Sequence, residues 1–480
     1  MHIIADLQIH SRFSRAVSKD MTLPYVAAWA TRKGIGVVAT GDWTHPVWLR
    51  EIERDLEETG NGLLRLKTSH SASSLVRASE SREAVRNKQN PNPGSGNPYF
   101  LLATEVSSIY TQGGKGRRVH TLIWVSTLES ARKISQEMTR RGCNLLSDGR
   151  PIIPLSCIQI AELVFSIDAD ALVIPAHAWT PWFSVYGGMS GFASIDEAFG
   201  QYAKNIRAVE TGLSSSPAMN WQVTELDNLA IVSFSDAHSG PKLGREATVF
   251  ETDDQLPDFS FRHISDALSA SPPEGGQKPR ARISYTIEFH PEEGKYHWSG
   301  HRSCKVRLTP EQSLAKGTTC PVCGKPLTQG VMQRVGELAG RSEESLGLKS
   351  VASPDRETDR EVRFTGSDAY PDRPPYVMLV PLAEIIAECI GSPPTSTRVS
   401  RAYLELTDAF GGEFTVLLTV PVADIAKHAG DRIAAGIRKV RTGDIVVDPG
   451  YDGVFGVVKI WREGEEKPLV DASKEQLSMF

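Results

Sequence analysis

The sequence predicts an α/β protein whose first half is a parallel sheet or barrel, followed by a small zinc-held module and a mainly helical C-terminal domain. Three observations predict it. From residue 1 to about 250, short β-branched runs alternate with helical stretches, the pattern of strands joined by crossover helices. Cys304, Cys320 and Cys323 cluster, while Cys143, Cys157 and Cys389 are scattered. Near the C-terminus, VPLAEIIAECIG and VPVADIAKHAGDRIAAGIRKV carry Pro near their starts, and Gly follows the first, as helices do.

Taken in order, MHIIADLQIH is a strand, YVAAWATRKG a helix, IGVVATGD a strand and PVWLREIERDLEE a helix. Further strands are predicted at YFLLATEVSS, RRVHTLIWVS, ADALVIPAHAW, NIRAVETGL and LAIVSFSDAHS. Each carries polar or ionisable residues beside its apolar part. Parallel α/β sheets and barrels put their active sites at the C-terminal ends of strands, so this placement is the informative regularity. The boundaries expected are a barrel over 1–268, with a Ser-, Asn- and Arg-rich surface insertion over about 61–98 that ends NPNPGSGNP. SASPPEGGQKPRA, from Ser269 to Ala281, is expected as a boundary loop, and 283–340 as the zinc module. A polar linker is expected over 341–375, and a helical domain ending in a hairpin, DIVVDPGYDGVFGVVKIW, over 376–480.

Composition narrows the function classes. With 480 residues the chain has ample capacity for several cores, and its net charge of −5 means that any nucleic acid must be held by a local basic patch. No apolar run approaches a membrane span, and the N-terminus enters a strand directly without a signal-peptide pattern, so a cytoplasmic location is expected.

The ionisable residues at strand ends are His10, Asp42 and His45, Glu105, His120, His177, Glu210, and Asp236 with His238. In one barrel they would converge on one mouth, and a mixed imidazole and carboxylate set suits Zn²⁺ or Mn²⁺. In ADLQIHSRFS, Asp6, Gln8 and His10 alternate and so share one face of a strand. Downstream, His301 and Cys304 form H-x-x-C, and Cys320 and Cys323 form C-P-V-C-G after fifteen intervening residues, the donor set of a closed structural zinc site. His301 has the best spacing for the fourth ligand, with His297 and His290 as alternatives. Arg302, Lys305, Arg307 and Lys325 surround it, as a small basic module for a phosphate backbone would require.

DLQIHS, GDWTH, the Glu after a strand, the His before a strand, PAH and SDAHS occur in the order found in the PHP (polymerase and histidinol phosphatase) superfamily, which the first 250 residues resemble. Together with FHPEEGKYHWSGHRSC, CPVCGKPL and the C-terminal segment, nearly the whole chain resembles the endonuclease Q family within it. The resemblance implies a distorted PHP-type (βα) barrel holding two to three divalent ions, Zn or Mn with Mg as a further candidate, beside one structural Zn. Its metal ligands would be His10, Asp42, His45, Glu105, His120, His177, Asp236 and His238, with Gln8 in the place of the first family histidine. Glu105 would bridge two ions, and Glu105, Asp236 and His238 form the expected catalytic group.

The activity implied is DNA repair: a metal-bound hydroxide hydrolyses the phosphodiester 5′ of a deaminated base (hypoxanthine, uracil, xanthine) or of an abasic site. Trp179, Trp182, Phe183 and Tyr186 in AWTPWFSVYGG would face an extruded base, and Lys242 and Arg245 in SGPKLGRE would meet phosphate. The expected partners are damaged DNA and other repair or replication proteins, and no membrane. Two departures from the superfamily pattern stand out: Asp42 and His45 are separated by Trp43 and Thr44, and an amide replaces imidazole at Gln8. A PHP phosphatase of small phosphomonoesters, or a lesion-DNA-binding protein impaired by Gln8, are the alternative functions.

Overall fold

The structure is a computed structural model that describes residues 1–68, 97–269 and 278–465. Most of the expected insertion at 61–98 and of the loop at 269–281 lies outside the described residues. The first half contains β1 (His2–Asp6), β2 (Val37–Ala39), β3 (Leu56–Glu58), β4 (Leu64–Leu66), β5 (Tyr99–Gln112), β6 (Lys115–Val125) and β7 (Ile152–Ile153). It continues with β8 (Leu172–Pro175), β9 (Ala208–Glu210), β10 (Ala230–Val232), β11 (Ala247–Thr252) and β12 (Ala281–Glu288).

The central strands β1, β2 and β5 run parallel, flanked by antiparallel β11 and β6, and β8 pairs antiparallel with β6. Backbone pairing is incomplete beyond β8, and single contacts close the ring. Ala178 N donates to Glu210 O between the ends of β8 and β9, which itself pairs with β10. Ser233 N donates to Thr248 Oγ1, tying β10 to β11. This is the distorted barrel of the expected fold class. Strands β2, β8 and β9 are buried along their whole length, so they carry continuous apolar runs such as Val37–Val38–Ala39 rather than alternation. Inside, Trp124 meets Phe234 edge to face at 5.5 Å, and truncating either ring to alanine would cost about 3–5 kcal/mol.

The helices follow their end signals. Helix Leu23–Lys33 has Pro24 in its first turn and ends at Gly34, whose φ of 88° is the left-handed stop. Helix Cys157–Ile167 starts with a capping box between Ser156 and Gln159. Beyond the barrel, β13 (Ser299–His301) and β14 (Val306–Leu308) form the base of the cysteine module.

The expected polar linker over 341–375 instead folds onto the barrel. Here β15 (Leu348–Val351) and β16 (Phe364–Ser367) pair antiparallel, and β16 joins β17 (Tyr376–Met378), which extends the main sheet through β12. Charged residues mask the signal, since only one face of this edge is covered: Phe364 and Leu346 are buried while Lys349 and Ser350 are exposed.

The C-terminal helices Leu382–Ile390, Thr397–Phe410, Glu413–Leu418, Val422–Ala429 and Asp431–Thr442 share one continuous apolar core with the barrel. A buried Lys33–Glu413 ion pair of 2.6 Å locks them to helix Leu23–Lys33. Its carboxylate also accepts from Leu382 N and Tyr403 OH, so the buried charge is fully engaged. Last comes the hairpin of β18 (Val446–Asp448) and β19 (Val457–Lys459). No helix of the described residues is long and apolar enough to cross a membrane.

Candidate metal centre

The chain beyond β1 stays buried through DLQIH, and its alternate side chains take separate tasks. Asp6 accepts from Ser235 N, Ser235 Oγ and Gly244 N, so it fixes the SFSDAHS segment. Burial raises its carboxyl to about 6, against those hydrogen bonds. Gln8 and His10 turn to Glu105 on β5: Gln8 Nε2 donates to Glu105 Oε2 at 2.9 Å, and His10 Nε2 lies 3.1 Å from the same oxygen and from Asp236 Oδ1.

Two donor triads result. His10, Asp236 and His238 bring their ligand atoms within 4.8 Å of one another, as do Glu105, His120 and His177. Glu105 spans both: Oε2 faces His10, while Oε1 faces His120 Nδ1 and lies 3.3 Å from His177 Nε2. His120 reaches this rim from the middle of β6, because β6 runs antiparallel to β5 and Ser107 pairs with His120 in register.

Each imidazole is tied at one nitrogen. His10 Nδ1 donates to Asp42 Oδ1 at 2.9 Å, His120 Nε2 meets Ser107 Oγ at 3.1 Å, His177 Nδ1 meets Thr180 Oγ1 at 3.3 Å, and His238 Nδ1 donates to Asp236 O at 2.8 Å. The opposite nitrogens turn inward, where His120 Nδ1 and His177 Nε2 lie 3.1 Å apart beside Glu105, as in metal sites whose histidines are oriented from behind. The donors fit divalent ions on a further ground. Gln8 Oε1, His10 Nε2 and Asp236 Oδ1 are buried without a hydrogen-bond partner of acceptable geometry, and buried polar atoms are ordinarily partnered.

Electrostatics points the same way. Burial alone would lower His10, yet Asp42, Asp236 and Glu105 raise it well above the ordinary value. Burial would raise Glu105, but His120 and Arg150 hold it well below its usual range. Burial takes His120 down to about 4, against the pull of Glu105. The backbone bends to deliver these groups: Asp42, His177 and Asp236 have φ of 47°, 29° and 46°, left-handed conformations rare for residues with a side chain. Glycines make room beside two of them. A Cβ at Gly212 would sit 2.3 Å from His177 Cβ, and one at Gly149 would sit 2.4 Å from Asp42 Oδ2.

Other expected residues are placed elsewhere. Asp42 spends both oxygens on hydrogen bonds from His10, Ser11 and Ser14, so it orients His10 from behind. His45 accepts from Trp48 N at the start of helix Pro46–Asp55 and stacks on Phe13 at 4.4 Å, apart from both triads. In the loop after β8, Trp179 and Tyr186 stack on each other at 4.8 Å and are fully buried, so they build the loop and face no ligand. Trp182 and Phe183 remain half-buried there. Lys242 pairs with Glu384 at 2.6 Å, and Arg245 donates to Ser235 O. Sequence reasoning missed Arg150, 3.6 Å from Glu105 Oε1; alternation singled out Asp6 beside Gln8 and His10, but not its role in fixing the Ser235 segment.

In the module, His301, Cys304, Cys320 and Cys323 also gather within 4.8 Å, with Cys323 Sγ 3.3 Å from His301 Nδ1. Burial raises Cys320, but the amides of Cys323 and Val322 and the His301 ring bring it down to about 6, towards the thiolate that ligates metal. His290 and His297 are buried apart from this group.

Comparisons with known proteins agree with this architecture. The family described as the MJ0043 C-terminal domain matches residues 381–444. Uncharacterized protein MJ0043 of Methanocaldococcus jannaschii is 29% identical over 287 residues, which are 59% of this chain and only 31% of that relative's length. The lesion-specific endonuclease PfuEndoQ from Pyrococcus furiosus superposes with a TM-score of 0.73 and 29% identity, covering 96% of both chains. Endonuclease Q in complex with a 27-mer duplex carrying an abasic lesion at the active site gives a TM-score of 0.72 and 30% identity, over 96% of this chain and 98% of that one.

Proposed function

The chain belongs to the endonuclease Q family, and from that premise we propose that it is a metal-dependent DNA-repair endonuclease. It would hydrolyse the phosphodiester 5′ of a deaminated base (hypoxanthine, uracil or xanthine) or of an abasic site. The observation that carries the reading is the pair of buried donor triads joined through Glu105, whose two carboxylate oxygens face one triad each. Held there, divalent ions would activate a water for attack on phosphorus and stabilise the leaving oxygen.

The chain's own residues account for the rest. Asp42, Ser11 and Ser14 fix the ring of His10, and Asp6 fixes the segment that carries Asp236 and His238. Arg150 offsets the charge of Glu105 and would meet a phosphate brought to the same oxygens. Trp182 and Phe183, half-buried beside His177 and His120, offer faces on which an extruded base can stack. Lys242 reaches phosphate only by leaving Glu384, so it serves as a switchable contact. The four module ligands hold one structural Zn, and DNA as the partner fits a cytoplasmic enzyme.

The test is a nicking assay on end-labelled inosine, uracil, xanthine, abasic and undamaged duplexes with Zn²⁺, Mn²⁺ or Mg²⁺. Cuts 5′ of lesions alone support the proposal. Lesion binding without cleavage under every ion would favour the impaired protein that Gln8 suggests, and release of phosphate from small monoesters without nicking would favour a phosphatase.

A further inference from the structure

Val454, Phe455 and Val457 in the C-terminal hairpin are exposed, Phe455 by 66%. They follow a turn built to be rigid. Tyr451 and Val454 exchange backbone hydrogen bonds of 3.0 and 2.8 Å across Asp452 and Gly453, whose φ of 41° and 84° are both left-handed, the form of a two-residue hairpin turn. Arg302 N at 2.6 Å and Thr328 Oγ1 at 2.5 Å both donate to the Asp452 carboxylate. Gly453 N donates to Lys295 O, and Trp298 N donates to Gly450 O. The turn is thereby bolted to the base of the cysteine module.

The tip is apolar above and cationic below. Lys295 Nζ lies 4.4 Å from the centre of the Phe455 ring, and the Arg302 guanidinium borders Gly453. The residue after Lys295 in sequence, Tyr296, packs edge-on against Trp182 at 5.4 Å in the loop that follows His177, so the tip's support abuts the loop beside the metal centre. A largely exposed ring over a lysine, with an arginine beside the turn, gives the fold little. It matches a partner with an anionic rim and an apolar interior, the description of a duplex base stack lined by phosphates.

We propose that the Val454–Phe455 tip is a wedge that enters the duplex beside the lesion and occupies the space left by the extruded nucleotide, with Lys295 and Arg302 on the flanking phosphates. This rests on the lesion-nuclease reading above. The experiment uses the full chain and Phe455→Ala, with the same lesion in a paired duplex, in a preformed bulge and in a single strand, and with 2-aminopurine next to the lesion to report unstacking while Ca²⁺ replaces the active ion. Nicking of the paired duplex should fall about 10-fold or more, from the loss of one stacking ring, while the bulged and single-stranded lesions are cut as before. The 2-aminopurine signal should vanish in Phe455→Ala and return in Phe455→Leu. Equal losses on all substrates, no loss on any, or an undiminished fluorescence rise would overturn the wedge. If the unaltered protein nicks no lesion, the nuclease reading fails, and the fluorescence comparison alone decides the wedge.

Discussion

The barrel mouth and the cysteine module both gather metal-type donors, and they do so by opposite routes. At the mouth the ligands are buried in a preformed scaffold: His10 and Glu105 are at most 2% exposed, and the histidines are held from behind by hydrogen bonds. In the module, the buried apolar side chains among residues 299–327 are Leu308 and Cys320, both outside the continuous core, while Leu314 and Val322 stand in solvent. The barrel's fold therefore makes its site, whereas the module's site makes its fold.

The sharpest way to break that contrast is to remove the shared bridge. Glu105→Gln should cut lesion nicking by about 10²–10³-fold or more and lower bound metal by elemental analysis, with melting unchanged or raised because a buried carboxylate is gone. Loss of the fold would mean that the barrel, too, depends on its ions. Cys320→Ser should show the reverse profile: rapid proteolysis within residues 299–330, an intact main melting transition, and nicking lost through weaker DNA binding, that is, through KM. In zinc-dependent peptides the ion supplies about 10–16 kcal/mol of folding energy, so a module that stayed protease-resistant after this change, or after chelation, would refute its dependence on zinc.

The same contrast governs what was legible in the sequence. Strand–helix alternation and strand-end ionisable residues pointed to the barrel and to Glu105, His120 and His177 because those signals are local. The H-x-x-C and C-x-x-C pairs pointed to the module for the same reason. What stayed hidden depends on direction and depth. Nothing in GDWTH tells that Asp42 faces backwards to His10 while His45 caps a helix, since the turn at φ 47° decides it. Nor does AWTPWFSVY tell that Trp179 and Tyr186 point inward and stack while Trp182 stays at the surface. The edge strands β15 and β16 hid behind charges because an edge needs only one apolar face.

The barrel also hides charge in a way the module does not. Glu210, Glu246 and Glu288 are fully buried, and burial, with mutual repulsion for Glu246, raises all three, Glu288 to about 8. In the native state Glu288 keeps its proton at neutral pH, whereas in the unfolded chain it releases it near 4.5. The unfolded state then binds fewer protons, so barrel stability falls as pH rises from about 4.5 to 8 and levels off above, by up to a few kcal/mol. Melting followed across that range should show the decline. Glu288→Gln should make it shallower, with Glu210 and Glu246 supplying what remains, without altering the proteolysis of the module.

The smallest expected effect concerns Gln8, the expected ligand position that carries an amide in place of an imidazole. An amide must turn its NH₂ to a carboxylate, so Gln8 donates to Glu105 Oε2 and leaves Oε1 buried without a partner. An amide oxygen is a poorer donor to Zn²⁺ than imidazole and discriminates less against Mn²⁺. Gln8→His should therefore raise Zn²⁺ retention in the His10 triad by about 10-fold, measured as metal content after dialysis and by calorimetric titration, and should narrow the range of ions that support nicking while changing the best rate little. The module's content of one Zn should not move, which provides an internal standard. If neither retention nor ion range changed, Gln8 would be only a neighbour that steadies Glu105. If instead the unaltered protein were inert and Gln8→His active, the preformed mouth would be a scaffold that a single amide has switched off.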